Sequence, residues 1–300
     1  MTARGRVLAV GEAISAFMHY ADDPPLLFYG PFPSGAPVIF ASAAARLGAH
    51  VELATAVGAD VFGGQFRERP AAHGVSAAGT IVDERHPTAS AFVSYEADGS
   101  RSYVFYLKGT AALSVGLEVL DRIGPVDWLH VSGATLTFGG MTAETAWEAV
   151  ERAVAAGTRI SFDPNVRAGD LSPETERRFA RLLEVAAAIF VSAGELAALH
   201  GSEERILARG GTVCHKAGAA GAAVLVGRER WRVPAPAVTE VDPDGAGDIF
   251  AAGFVAATLA GAAPSESAEV AVRVASASVA VRGPLASRIE PLQTSLGSIA

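Results

Sequence analysis

The residues best suited to chemistry lie in the run VDPDGAGDIFAAGF, residues 241–254. Gly245, Ala246, Gly247 and Asp248 stand between a strand-like stretch and an apolar helix. Small residues there let the backbone approach a ligand closely. A helix N-terminus adds free N–H groups and about half an elementary positive charge. Together they make an anion hole that needs no lysine. Asp248, at the same helix end, could take a proton from a substrate hydroxyl beside a site for developing phosphoryl charge. Spacing alone equally allows a tight turn and a helix N-cap with no ligand. A calcium loop does not fit: with Asp242 first, Ala246 and Gly253 stand where side-chain ligands are required.

Other phosphate-handling devices are missing. Of 24 basic residues only two, Lys108 and Lys216, are lysines. Gly follows the first and Ala the second, so there is no P-loop, and the protein-kinase motif set is absent. A net charge of −8 argues against a nucleic-acid partner, which calls for a basic face. The single cysteine, Cys214, excludes an internal disulfide and a multi-cysteine zinc site, and its apolar strand makes it inert. His130, His200 and His215 lack partner spacing and read as structural. The start of the chain has no signal-peptide pattern, and the weakly polar stretch 249–264 falls below the ~18 residues of a membrane span. These features predict a soluble cytoplasmic protein with no membrane partner.

The elements that must position residues 245–248 alternate. Strands are predicted at Val7–Gly11, Val51–Val57, Trp128–Ser132, Arg159–Asp163, Ile189–Ser192 and Thr212–His215. A hairpin is predicted at Ala222–Val226 and Arg230–Val233. Helices are expected at Val38–Leu47, Val61–Ala72, Thr142–Ala156, from Ser172-Pro173 onward, Ile249–Ala260 and Glu266–Val281. Such alternation implies a mostly parallel sheet covered on both faces. Residues 12–34 and 79–110 contain no helix, and Asp98-Gly99 marks a hairpin turn between apolar runs. The simplest reading is one domain over 1–300, with a small β-lid inserted from about 12–34 and 79–110.

The run DPDGAGDIFAAGF resembles the C-terminal signature of the ribokinase-like (PfkB) carbohydrate kinases. Further motifs follow the same order. Ser34-Gly35-Ala36-Pro37 through Arg46-Leu47-Gly48 resembles GGAPANVAVALARLG, and Phe162-Asp163-Pro164-Asn165-Val166-Arg167 resembles the FDPNxR of fructokinases and ketodeoxygluconate kinases. Ser192 to Glu195 stands for N-x-x-E, and Lys216 to Gly221 for K-x-G-x-x-G. The resemblance spans almost the whole chain. It implies a ribokinase-like three-layer α/β sandwich and an ATP:sugar phosphotransferase. Asp248 would be the base, and the amides of Gly245, Ala246 and Gly247 would stabilise the transferring group. Glu195 would help place Mg²⁺ through water. Ser192, Lys216, Gly218 and Gly221 would lie on the nucleotide side. Gly35, Ala36, Phe105, Lys108 and Arg167 would lie on the substrate side. ATP and Mg²⁺ are implied as cofactors, a monovalent cation is a further candidate, and a homodimer through the lid is expected.

Departures from the pattern bear on the acceptor. Ala16 replaces an Asp and Ile39 an Asn that anchor sugar hydroxyls in the family. Ala16 and Ser192 are shared with ketodeoxygluconate kinases, but Leu107 replaces the Arg with which those enzymes read a carboxylate. A sugar or a sugar acid therefore remains open. The alternatives are a nucleoside kinase, which needs an aromatic such as Phe32, Phe92 or Phe105 in the lid, and a non-catalytic sugar-binding regulator. Asp244, beside the anion hole, is expected to face solvent, because a carboxylate there would repel phosphate.

Overall fold

A computed structural model describes residues 5–24, 27–96, 100–166 and 171–292. The chain opens with β1 (Arg6–Val10), β2 (Ile14–His19), β3 (Tyr29–Ser34), α1 (Ala36–Arg46), β4 (His50–Gly58) and α2 (Val61–Ala72). Next come β5 (Val75–Ser76), β6 (Thr80–Asp83), β7 (Ala89–Tyr95), β8 (Arg101–Tyr106), α3 (Glu118–Arg122), β9 (Trp128–Ser132), α4 (Gly133–Phe138) and α5 (Gly140–Ala156). After these follow β10 (Arg159–Asp163), α6 (Pro173–Val185), β11 (Ala188–Val191), α7 (Glu195–Ala198), α8 (Glu203–Ala208) and β12 (Thr212–Lys216). The hairpin β13 (Ala222–Val226) and β14 (Glu229–Val233) precedes α9 (Ala246–Leu259) and α10 (Pro264–Ser278).

The main sheet runs β14-β13-β12-β11-β10-β9-β1-β4-β5, with β6 also on β4. It is parallel except where β13 pairs with β12 and with β14. Its central strands are apolar on both faces, as a sheet covered on both sides requires; all five residues of WLHVS in β9 are buried. One face carries α1, α9 and α10, whose small residues pack closely against one another. The other face carries α5 and α6. Local chemistry sets the helix ends: Ser172 Oγ accepts the Thr175 amide at 3.1 Å before Pro173, and Gly157 closes α5 in the left-handed conformation.

A second sheet, β3-β2-β7-β8, stands apart from the first. Ile14 pairs with Ala89 in parallel and Ala91 with Phe105 antiparallel. The alternating burial of β7 gives this sheet an inner face of Ala89, Ala91, Val93 and Tyr95. Thr80–Asp83 falls within the stretch read as lying outside the main sheet, yet it pairs with β4 in parallel. The turn expected at Asp98-Gly99 lies outside the described residues. Helices α3, α4, α7 and α8 and strand β5 have no counterpart in the sequence reading, being too short to show a period.

Under α1, His130 stacks on Phe40 at 3.8 Å, and its Nδ1 lies 2.9 Å from Ser161 Oγ, which also accepts Trp128 Nε1 at 2.8 Å. Burial, with a smaller push from Lys216, lowers the His130 pKa to about 3. The folded protein therefore keeps this ring neutral where the unfolded chain, titrating near pH 6.5, takes up a proton. That stability is complete above about pH 6.5 and falls by ~1.4 kcal/mol per pH unit as pH drops towards 3. Urea titrations at pH 7 and pH 5 should show this one-proton loss, and it should vanish from the pH dependence of His130→Asn.

Candidate active site

The parallel strands end on one side of the main sheet, and the candidate residues follow from those ends. Glu12 lies just past β1 and Ala134 past β9. Asp163 closes β10, Ser192 and Glu195 follow β11, and Lys216 closes β12. β1 leads to β4 on one side, whereas β9 to β12 build outward on the other. The change of direction opens a crevice at the strand C-termini, the usual ligand position in such sheets.

Helix α9 points its N-terminus at this crevice. Gly245 is the N-cap, with φ 75°. A Cβ there would stand 2.9 Å from Ile39 Cδ1, so both the conformation and the space call for glycine. Gly245 supplies no side-chain cap, and the Ala246 amide donates to the Pro243 carbonyl only at a long 3.4 Å, a bond that a ligand oxygen could replace. Asp248 lies in the first turn and is 6% exposed.

Lys216 and Asp163 meet beside this turn, Nζ to Oδ2 at 2.6 Å. A Cβ on Gly247 would be 3.3 Å from the same Nζ. Burial pulls the ammonium pKa down, but the charges of Asp163, Glu195 and Asp248 outweigh that and hold it above its ordinary value. A fixed cation thus lies against the helix end. Glu195 is braced by two amides: Val166 donates to Oε1 at 3.0 Å and Ser192 to Oε2 at 2.7 Å. Among the described residues no cluster of three or more His, Cys, Asp or Glu forms a metal cage. Glu195 fits an ion held mainly by phosphate oxygens and water, the ordinary habit of Mg²⁺.

A cleft of about 440 Å³, including its open mouth, lies between the two sheets and reaches Asp248. Ile14, Ala16, Ala91, Val93, Tyr103 and Phe105 of the small sheet form one wall. Glu12, Gly35, Ala36, Ile39, Phe138 and Asp244 belong to the other side. Thr135 donates to Glu12 Oε2 at 2.6 Å.

The structure therefore brings Gly35, Ala36 and Phe105 together with Asp248, and Gly245, Ala246 and Gly247 lie beside Lys216 and Glu195. Ser192 is exposed at the end of β11 and borders a second cavity with Glu203 and His215. Gly218 is exposed in the loop after Lys216. Gly221 has a packing role, since a Cβ would stand 2.0 Å from the Val233 carbonyl oxygen. Lys108 is exposed in the turn after β8 and does not line the cleft. Arg167 lies outside the described residues. Asp244 is a correction: it is buried, lines the cleft, and has Tyr103 Oη 3.5 Å from Oδ1. The small sheet, folded over it, shuts it off from solvent. His215 also gains a partner, Glu203 at 2.9 Å. Sequence reasoning missed Glu12, Tyr103 and Phe138 as cleft residues. An acidic residue directly after a buried strand and its closing glycine was the available signal for Glu12.

Among the described residues no helix is long and apolar enough to cross a membrane. The family model for the pfkB family carbohydrate kinases matches residues 31–290. A fructokinase of Klebsiella pneumoniae is 31% identical over 274 residues, 88% of each chain. An aminoimidazole riboside kinase of Salmonella typhimurium is 29% identical over 235 residues, 74% of this chain and 72% of that one. A putative ribokinase II of E. coli, solved with ATP and Mg²⁺, superposes with a TM-score of 0.83 at 31% identity, covering 98% of this chain and 99% of that one. The three-layer arrangement is thus the ribokinase-like fold. With a family match over residues 31–290, a 31% identical relative covered to 88% and the ribokinase-like fold, the chain belongs to the pfkB family of carbohydrate kinases.

Proposed function

We propose that this protein transfers the terminal phosphoryl group of ATP to a hydroxyl of a small sugar or sugar acid. The observation that carries this reading is the placing of Asp248. It lines the cleft and belongs to the first turn of the helix whose N-terminal amides would receive the phosphoryl group. Asp248 would accept the proton of the attacking hydroxyl. The amides at 245–247 and the Lys216 ammonium would stabilise charge on the transferring group. Glu195, held by the Val166 and Ser192 amides, would orient Mg²⁺ through water; when bound, the ion neutralises phosphate charge. Ser192 and the 216–221 loop would face the nucleotide. The apolar wall of the small sheet would keep water from the reacting atoms. Dependence on ATP and a buried, lone cysteine suit the reducing cytoplasm.

A second reading has its own support. Tyr103 and Phe105 lie parallel on the cleft wall, ring centroids 5.7 Å apart at 2°, and Phe138 packs on Phe105 at 5.2 Å. Such a surface suits a planar base as well as the apolar face of a sugar. Phe92 instead belongs to an outer cluster with Phe17, and Phe32 packs beside Gly283. A panel of sugars, sugar acids and ribonucleosides, each with ATP and Mg²⁺, decides the class by ADP release. One class should raise ADP well above background, and Asp248→Asn should lower that turnover about 10³-fold with nucleotide affinity retained. No ADP with any acceptor would refute the kinase reading and leave a sugar-binding protein, whereas undiminished turnover in the variant would refute Asp248 as the base.

The outer face of the small sheet supports a homodimer. Phe17 stacks on Phe92 at 5.2 Å, Tyr106 meets Phe92 edge-on at 6.0 Å, and Tyr106 and Val104 are 60% and 52% exposed. An apolar patch of this kind suits a second copy of the same chain. Sedimentation should show a dimer that Tyr106→Glu converts to monomer; a wild-type monomer at micromolar concentrations would exclude it.

A further inference from the structure

The loop leading into the N-terminus of α9 starts at Asp242, a residue 2% exposed whose carboxylate accepts four hydrogen bonds. Tyr20, just past β2, donates its hydroxyl to Oδ2 at 2.8 Å. Tyr95, the last residue of β7, donates to Oδ1. The Asp244 amide donates to Oδ1 at 3.0 Å and the Gly283 amide to Oδ2 at 2.7 Å. The two tyrosine rings stack at 5.1 Å and 10°. Arg282 lies 4.5 Å over the Tyr20 ring and 4.4 Å over Tyr29, and 3.6 Å from Asp23 Oδ1. Two donors thus come from the small sheet, and two from backbone that shapes the phosphate-binding turn and the loop after α10.

A buried carboxylate is costly unless its oxygens are satisfied. If the small sheet lifts, two of these donors leave together. The carboxylate must then take water or shift towards the remaining amides, and the Asp242–Gly245 turn moves with it. We infer that Asp242 is a positioning residue which, through Tyr20 and Tyr95, couples the placing of the small sheet to the shape of the anion hole. The same sheet supplies the acceptor wall at Ala91, Val93, Tyr103 and Phe105. An acceptor that holds the sheet down therefore also sets the amides that receive the phosphoryl group. Without an acceptor the amides are less well set, and ATP is spared from transfer to water. This device rests on the kinase reading for its purpose, though not for its mechanics.

The test uses Tyr20→Phe and Tyr95→Phe, singly and together. These keep both rings and their stacking, and thermal melting checks that they fold. Hydrogen–deuterium exchange on the ligand-free protein should rise together in β2, β7 and residues 242–249, about tenfold or more in the double variant. With an active acceptor, kcat should fall about tenfold while KM for ATP changes less than about twofold. The ratio of ADP to phosphorylated acceptor should rise. Tyr95→Phe added to Asp242→Ala should cost nothing more, because the acceptor for the Tyr95 hydroxyl is already gone. Faster exchange in the sheet strands alone, with residues 242–249 and kcat at wild-type values, would overturn the coupling, as would additive losses when Tyr95→Phe is combined with Asp242→Ala. The exchange arm needs no substrate. If the wild type phosphorylates nothing, the kinase reading fails while exchange still decides the coupling.

Discussion

Lys216 ends β12 and Asp163 ends β10, two strands apart in the main sheet, yet their side chains meet at 2.6 Å. The pair exists because β11 between them stops at Val191 and the chain turns away, so both side chains lean over the sheet edge. Loss of either partner would strand a buried charge, at a cost of about 3–5 kcal/mol. The ammonium also lies against Gly247, so the same contact links the sheet edge to the N-terminus of α9. Helix amides, a fixed cation and a buried carboxylate are thereby gathered at one place. Each favours negative charge developing on a group between them, except Asp248, whose task is to take a proton.

The second constraint is enclosure. A four-stranded sheet has two faces and only one can cover the cleft. Its inner residues are apolar, a mixture of alanines, larger aliphatic side chains and aromatic rings. Its outer face keeps a group of aromatic rings. The tyrosines at its edge reach Asp242, at the foot of the turn that precedes Gly245. The small sheet and the turn into α9 are therefore one packed unit, and the cleft is shaped by both.

Much of the fold was legible in the chain. Trp128–Ser132 is buried throughout and Arg159–Asp163 in all but its first residue, and their bounds were predicted as observed. Residues 61–72 form the expected helix, and Ser172 caps α6 ahead of Pro173. The turn into α9 was legible because Gly245 takes the left-handed conformation that favours glycine. What stayed hidden depends on contacts between distant segments. Asp163 and Lys216 are 53 residues apart, and their pairing follows from strand order that no local pattern encodes. The burial of Asp244 depends on Tyr103, 141 residues earlier. Lys108 was read as facing substrate, but β8 stops at Tyr106 and the following turn carries it to the surface.

The central claim is that the N-terminus of α9 receives the phosphoryl group beside Asp248. The position of the terminal phosphate of a non-hydrolysable ATP analogue, in crystals grown with Mg²⁺, tests it most directly. The account predicts phosphate oxygens within hydrogen-bonding distance of the Ala246 and Gly247 amides, next to Lys216. A terminal phosphate lodged in the cavity at Glu203 and His215, away from α9, would contradict it.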